Sequence, residues 1–352
     1  MRKRETNFEL LRIVSMCMII ALHYMSKGMA VPKLFEEFTI ANFLWWLVYA
    51  FCVVAPNSYV LISGYFLSSK YADGDWNVKD YIMRGIRILA EVLFYSWIIP
   101  IVLCAFGFAD ISTLSFDEII TITLPIEHEH YWFAASYFLM YLVSPILGAA
   151  IKKLSKQQLG GVIAASLTVF SLLKSVNPYL ISWDRYGCDF AWFVVLFLIA
   201  GYIREYGIPV YKDLKTSVCL YLLCVFAIGA YASLIAWIVG MTGKLEYFYD
   251  MIYSYNHIFV LAASVSFFYI FKYICIKESR IIMTLASCTF GVYLLHENLL
   301  LRNNWYRYLG IEGINGELAH ALHMLICIVV VFAIGTIVDM LRQGIFRLFR
   351  KK

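Results

Sequence analysis

The first hydrophobic segment of the chain carries two ionisable residues, Arg12 and His23. Ionisable side chains are costly inside a membrane span and are usually retained for a function. At about 100° and 1.5 Å per helical residue, the step from Arg12 to His23 turns the chain about 20° past three full turns and rises roughly 16 Å. The two side chains therefore share one helix face, with a fixed cation near one membrane surface and a titratable imidazole deep in the bilayer.

A second histidine is predicted at a similar depth. His296 lies near the end of a later apolar segment, about a dozen residues in from the same side of the membrane, and is followed by Glu297. Two histidines at one depth on helices that run in the same direction are suited to proton transfer. The alternative is that His296 and Glu297 form only a satisfied polar pair in the core.

Two arginines open the third hydrophobic span. Arg84 and Arg87 are three residues apart and therefore lie on one helical face. Guanidinium groups bind phosphate through paired hydrogen bonds and stay charged, so this pair is suited to a phosphorylated ligand. The alternative is positive-inside anchoring by snorkelling side chains. Arg12 is expected at the same membrane face, which would place three cations around one opening.

Further polar candidates interrupt the other spans. Ser63 and Gly64 break the second apolar stretch, where a ligand or a neighbouring helix could approach; helix packing alone is the alternative. In the loop before the fourth span, the pattern favours an exposed position for His128. His130 and Trp132 lie where that span enters the bilayer and are candidates for binding. No metal site is predicted, because no other histidine or cysteine in the loop completes a ligand set and the nine cysteines show no metal-ligand spacing.

The elements that must position these residues are membrane helices. The chain is 62% hydrophobic and 15% charged, with a mean hydropathy of +0.74, which predicts an all-α, polytopic transmembrane bundle. About ten spans are expected, at approximately 8–28, 41–67, 84–106, 131–150, 159–174, 190–203, 217–240, 256–275, 284–301 and 319–341. With no internal repeat and no long linker, residues 1–352 are predicted to form a single domain.

The distribution of lysine and arginine predicts the orientation. Most of the 29 basic residues fall on one side of the ten spans, including both basic tails, so both termini are expected to be cytoplasmic. The loop from 107 to 130 carries five carboxylates and neither lysine nor arginine, and should face outward. The net charge of +5 then reflects topology and contact with anionic membrane lipids, and no nucleic-acid partner is expected.

Together these residues resemble acyltransferase family 3, the bacterial integral membrane acyltransferases that modify surface glycans. The resemblance covers residues 8 to about 300 and depends on five motifs in register, each weak alone. They are Arg12 with His23, Ile62-Ser-Gly-Tyr-Phe66, Arg84-x-x-Arg87, His130-Tyr-Trp-Phe133 with Tyr141-Leu-Val-Ser-Pro145, and Phe290-Gly-Val-Tyr-Leu-Leu-His296.

The resemblance implies an O-acyltransferase in the bacterial cytoplasmic (inner) membrane. Its donor would be acyl-coenzyme A, most simply acetyl-CoA, reached from the cytoplasm as a substrate, with no tightly bound cofactor. Its acceptor would be a hydroxyl of a cell-surface polysaccharide or lipid-linked glycan. Arg12, Arg84 and Arg87 would hold the phosphates of the donor. His23 and Arg12 would be the catalytic residues, with His23 as general base on the attacking hydroxyl.

The resemblance also implies an acceptor side. His130, Trp132, Tyr293 and His296 would line it, and the region of Ser63 would stabilise the oxyanion. Some relatives carry an extra span and an outer hydrolase-like domain, whereas this sequence ends after the tenth predicted span. Transfer is therefore expected to finish in the membrane part or on a separate protein.

The competing interpretation is a multi-span transporter or flippase of a glycan or lipid-linked precursor. Intramembrane charges also mark transport paths. The missing inverted repeat argues against a transporter, and consumption of acyl-coenzyme A would distinguish the two classes. The sequence leaves the acyl group, the acceptor hydroxyl, an acyl-enzyme intermediate and the oligomeric state open.

Overall fold

A computed structural model of the protein describes residues 5–29, 38–177, 184–244 and 248–350. Helices make up 77% of it, and this described part contains no strand, which confirms the predicted all-α class. Five basic residues that the sequence assigns to the cytoplasmic tails lie outside the described residues: Arg2, Lys3, Arg4, Lys351 and Lys352.

Fourteen α-helices follow one another along the described chain. Their bounds are α1 Thr6–His23, α2 Ile40–Cys52, α3 Ala55–Tyr71, α4 Val78–Ala105, α5 Phe116–Thr123, α6 Trp132–Lys153, α7 Lys156–Leu167, α8 Phe190–Glu205, α9 Leu214–Thr242, α10 Phe248–Ile252, α11 Ile258–Tyr273, α12 Arg280–His296, α13 Trp305–Tyr308 and α14 Glu317–Arg350. A π-helical segment, Tyr24–Gly28, continues directly from α1.

Six helical segments of the described chain are long and apolar enough to cross a membrane. They are Thr6–Gly28, Ile40–Tyr71, Val78–Ala105, Trp132–Lys153, Leu214–Thr242 and Glu317–Leu348. The helices α11 and α12 are apolar but shorter. At the fifth and sixth predicted spans, α7 and α8 have 12 and 16 residues, and a π-helical segment, Thr168–Leu172, continues directly from α7. The count of ten spans and the cytoplasmic termini remain predictions.

The chain divides into two compact units, each built from separated stretches of sequence. The first unit contains Met1–Met29, Ile82–Ala135 and Glu278–Lys352, and the second contains Ala30–Tyr81 and Ser136–Lys277. The prediction of a single domain over residues 1–352 remains a prediction. Most of the predicted site residues, including both histidines of interest, belong to the first unit.

The second unit packs α3 against α8 and α11. Gly64 allows the close approach of α8, since a Cβ there would lie 2.8 Å from the Ala200 side chain and 3.0 Å from Cα of Phe197. Buried Asn57 donates to Ser264 and accepts from the Trp192 indole, which ties these helices together. For Gly64, helix packing is therefore the interpretation that the structure supports.

The first unit packs α1, α12 and α14 together and holds a buried ionic cluster. Arg342 bridges two carboxylates, with Nε 2.7 Å from Oδ1 of Asp339 and Nη2 2.9 Å from Oε1 of Glu91. The Tyr95 hydroxyl and the Gln343 amide also donate to Asp339. Removing one partner of a buried ion pair typically costs about 3–5 kcal/mol, because the other charge is left uncompensated.

Gly291 makes room for this cluster, since a Cβ there would overlap the Asp339 carboxylate and the Tyr95 hydroxyl. Gly291→Ala should therefore lower stability by about 3 kcal/mol, because Asp339 must leave Arg342. Thermal unfolding in detergent measures the effect. Gly344→Ala is the matched control: nothing lies within 4 Å of a Cβ there, so the melting temperature should stay the same or rise. A Gly291→Ala protein as stable as the wild type would contradict this prediction.

Candidate active site

The two predicted histidines meet in the first unit. His23 is the last residue of α1 and His296 the last residue of α12, and the two helices pack against each other. Nδ1 of His23 lies 3.0 Å from Nε2 of His296, a hydrogen-bond distance. Both helices end at this contact. The sequence predicts a common direction and a similar depth for the two histidines, and the contact itself comes from the structure.

The hydrogen bonds around this pair define its tautomers. Nδ1 of His296 lies 2.7 Å from the carbonyl oxygen of Val292. A carbonyl can only accept, so Nδ1 of His296 carries the proton and its Nε2 is an acceptor. Nδ1 of His23 must then be the donor, which leaves the lone pair on its Nε2. None of the described residues hydrogen bonds to that nitrogen, so it is available as a base.

A carboxylate and an ammonium group complete the pair. Oε1 of Glu297 lies 3.1 Å from Nδ1 of His23, so the His23 proton can be shared between Glu297 and His296. Lys27 forms an ion pair with the same carboxylate oxygen. The opposite charges of Lys27 and Glu297 make it possible to bury the carboxylate, which is only 7% exposed.

Lys27 and Glu297 were not predicted as site residues. Glu297 follows α12 directly, and the sequence shows it only as a neighbour of His296. Lys27 belongs to the π-helical segment that follows His23, and π-helical turns are often found at functional sites. A charged residue four positions after His23, still close to the apolar segment, is the signal that could have identified Lys27.

His130 supports the chain just after this centre. It is 3% exposed, its Nε2 accepts from the Leu299 amide at 2.8 Å, and its Nδ1 lies 3.3 Å from the Ser96 hydroxyl. Burial lowers the pKa of His130 to about 4, so the ring is neutral at pH 7. Asn298 donates to the Tyr131 hydroxyl and to the Tyr95 carbonyl, which fixes the same segment.

Aromatic rings surround His296. Tyr293, one turn earlier on α12, meets it edge to face with centroids 6.2 Å apart, and Trp305 meets it similarly at 6.5 Å. Phe133 contacts the Tyr293 ring, and Trp132, half-buried beside it, opens α6. Tyr293 is therefore next to the histidine pair, and Trp132 is one residue from a side chain that contacts Tyr293.

Tyr24 holds the π-helical segment against α14 in the first unit. Its hydroxyl lies 2.8 Å from Nδ1 of His323 on α14, and Nε2 of that histidine lies 2.8 Å from the Leu309 carbonyl. Because the carbonyl can only accept, His323 donates from Nε2 and accepts from Tyr24. The sequence does not predict this contact, because the two residues are 299 positions apart.

The predicted cations differ in their surroundings. Arg12 forms an ion pair with Glu9, one turn earlier on α1. Arg84 and Arg87 are exposed on α4, and no described residue forms an ion pair with either. The two α4 guanidinium groups are therefore available for an anionic ligand, whereas Arg12 has a carboxylate partner that a ligand would have to share.

Ser63 lies in the second unit, on α3, where its hydroxyl donates to the Tyr137 hydroxyl at 3.2 Å. The proton of Ser63 is therefore used inside that unit. Its predicted role in stabilising an oxyanion remains a prediction.

The histidine pair and Glu297 could also hold a metal ion. One donor atom each from His23, His296 and Glu297 lies within 4.8 Å of the others, and two imidazoles with a carboxylate are a common zinc ligand set. Lys27 already occupies the carboxylate oxygen that a metal would need. The prediction of metal-free chemistry remains a prediction.

The apolar helices and the histidine pair, with His296 buried and His23 half-buried, define a class, that of helical multi-pass membrane proteins with an ionisable centre among their helices. Residues 5–340 match the sequence model described as an acyltransferase domain, that of acyltransferase family 3. The chain therefore belongs to this family, and the resemblance seen in the sequence is confirmed. No curated protein and no solved structure matches it.

Proposed function

We propose that the protein is a membrane O-acyltransferase that moves an acetyl group from cytoplasmic acetyl-CoA to a hydroxyl of an exported or lipid-linked surface glycan. The family supports acyl transfer in general. The observation that carries the mechanism is the orientation of His23, whose Nδ1 donates to His296 and Glu297 while Nε2 keeps its lone pair.

In the proposed reaction, Nε2 of His23 removes the proton from the acceptor hydroxyl as the hydroxyl oxygen attacks the thioester carbon. Glu297 holds the His23 proton on Nδ1 and stabilises the imidazolium that forms. When the tetrahedral intermediate collapses, the coenzyme A thiolate leaves and takes the proton from His23. No protein nucleophile is needed.

The donor would be held at the cytoplasmic end of the bundle. Arg84 and Arg87 offer two unpaired guanidinium groups on one face of α4, suited to the phosphates of coenzyme A. Arg12, on the face of α1 that leads to His23, would contact the donor between this end and the histidine pair. On the acceptor side we place Trp132, Tyr293, His296 and His130, the last as a support for the chain around Leu299.

The decisive experiment uses the purified protein in lipid nanodiscs with radiolabelled acetyl-CoA and glycan from the cell surface. We expect a base-labile acetyl ester on the glycan and stoichiometric release of free coenzyme A. Movement of labelled glycan across vesicle membranes without coenzyme A release would instead identify a transporter or flippase. Mass spectrometry of the product identifies the acyl group and its carrier.

Neutralising the α4 arginines should weaken donor binding. Charge-assisted hydrogen bonds contribute about 1.5–3 kcal/mol, so Arg84→Gln and Arg87→Gln should each raise KM for acetyl-CoA about tenfold or more. The value of kcat should change little, because the groups are remote from the reacting atoms.

Lys79→Gln is the matched control for these variants. It removes one positive charge from the same end of α4 but lies roughly 140° around the helix from Arg84 and roughly 80° from Arg87. Its KM should equal that of the wild type. If all three variants behave alike, the arginines act through general surface charge and the proposed donor site is wrong.

A further inference from the structure

Two hydrogen-bond donors beside His296 have no acceptor among the described residues. They are the indole Nε1 of Trp305 and the hydroxyl of Tyr293, and both atoms are buried. Trp305 is 6% exposed and Tyr293 is 5% exposed, so bulk water does not satisfy them. An unpaired buried donor costs free energy, and such groups in a folded protein call for an explanation.

Both donors belong to rings that pack edge to face on the same imidazole. The His296 ring has Tyr293 at 6.2 Å and Trp305 at 6.5 Å, measured between ring centroids. The same imidazole is 3.0 Å from His23. Two unused protons therefore belong to rings that contact one member of the histidine pair.

The local structure holds Trp305 in this position. After α12 the chain turns back on itself, and the Trp305 amide donates to the Leu301 carbonyl at the start of α13. The next residue, Tyr306, packs on Gly28 at the end of the π-helical segment, where a Cβ would lie 3.4 Å from its ring. The segment that carries Trp305 is therefore packed against the one that carries Lys27.

A third feature favours negative charge at this point. The Tyr293 ring packs against the start of α6, where its centroid lies 5.8 Å from that of the Phe133 ring. The N-terminus of a helix carries partial positive charge and stabilises anions. The surroundings of Tyr293 thus suit an oxygen atom that becomes negative, in addition to offering a proton to it.

The two groups offer protons, so they suit the thioester carbonyl oxygen, which becomes negative during the reaction. An indole N–H can only donate, so Trp305 cannot accept the proton of the acceptor hydroxyl. That proton goes to Nε2 of His23. As the hydroxyl oxygen forms its bond to the thioester carbon, the carbonyl π electrons move onto the carbonyl oxygen, which becomes an oxyanion and then reforms the double bond as the thiolate leaves.

We propose that Trp305 and Tyr293 donate hydrogen bonds to the oxyanion of the tetrahedral intermediate. This inference rests on the proposed acyl transfer and names the groups that would stabilise its transition state. Donors that are held in place before the charge develops stabilise it without reorganisation, which makes such groups effective in catalysis. The proposed oxyanion site lies wholly within the first unit.

The test compares Trp305→Phe and Tyr293→Phe with the wild type in the nanodisc assay. Each variant should lose about 100-fold in kcat, the low end of the range for one oxyanion donor. KM for acetyl-CoA should be unchanged, since the bond strengthens only in the transition state. The melting temperature should fall only slightly, because neither the indole N–H nor the tyrosine O–H donates to a described residue, although Trp305→Phe makes a buried ring smaller.

Tyr306→Phe is the control, since it changes the aromatic neighbour of Trp305 without touching either unpaired donor. It should keep the wild-type kcat. Wild-type kcat in Trp305→Phe and Tyr293→Phe would overturn the oxyanion assignment and leave the proposed function standing. A fall in kcat matched by a fall in folded protein would also overturn it. Absence of acetyl transfer by the wild type would overturn both.

Discussion

His23→Ala should abolish acyl transfer while the protein remains folded. Removal of a general base typically costs about 10²–10⁴-fold in rate, and we expect a loss near the upper end, because no other described group at the pair offers a free lone pair. His296 uses Nδ1 on Val292 and Nε2 on His23, so it cannot take over the role without rearrangement. The measurement is kcat for acetyl ester formation in nanodiscs.

His23→Asn separates loss of the base from loss of structure. An asparagine amide can still donate from the position of Nδ1, toward His296 or Glu297, but it has no basic nitrogen at the position of Nε2. We expect it to be as inactive as His23→Ala and to melt closer to the wild type. His128→Ala, which removes an exposed histidine from the loop before α6, should be fully active. Substantial activity in His23→Asn would exclude His23 as the base.

The sequence predicts the centre of the site because that centre depends on helical periodicity. The spacing of Arg12 and His23 placed them on one face, and the structure has both on the single helix α1. The sequence also places His296 at a similar depth, and the structure adds the contact with His23 at 3.0 Å. The depth of a residue in a membrane helix and the helix face it occupies depend only on the neighbouring sequence. Both can therefore be predicted from one sequence.

Helical periodicity does not predict the remaining site residues, because their contacts are made by segments outside the regular α-helices. Lys27 reaches Glu297 through a π-helical segment, and Trp305 reaches His296 because the chain folds back after α12. Neither turn has a strong sequence signal. The span count is a different case: the apolar stretch predicted at 159–174 corresponds in the structure to α7, which has 12 residues and continues directly into a π-helical segment, Thr168–Leu172. Hydropathy alone therefore does not give the limits of the α-helix.

Glu297→Gln should lower kcat about 10²–10³-fold, the second largest effect we expect for a single substitution. A carboxylate only accepts, so it holds the His23 proton on Nδ1, 3.1 Å away. A glutamine amide can instead donate to Nδ1, which would move the His23 proton to Nε2 and remove the free lone pair. The charge that stabilises the imidazolium in the transition state is lost as well.

The loss should be smaller than that of His23→Ala because His296 still favours the productive tautomer. Its Nε2 accepts from Nδ1 of His23 at 3.0 Å whether or not residue 297 is charged. The effect should appear in kcat, with KM for acetyl-CoA little changed, since Glu297 contacts the base and not the donor phosphates. Wild-type kcat in Glu297→Gln would show that His296 alone orients His23.

Lys27 complicates this variant, since it loses its ion-pair partner when Glu297 is neutralised. Lys27→Met and the double variant Lys27→Met/Glu297→Gln therefore complete a double-mutant cycle. If Glu297 acts on His23 directly, the double variant should be as slow as Glu297→Gln, although its melting temperature recovers because no unpaired charge remains. If instead the double variant regains activity, the loss of activity in Glu297→Gln comes from the unpaired charge of Lys27. The role of the carboxylate is then to neutralise Lys27.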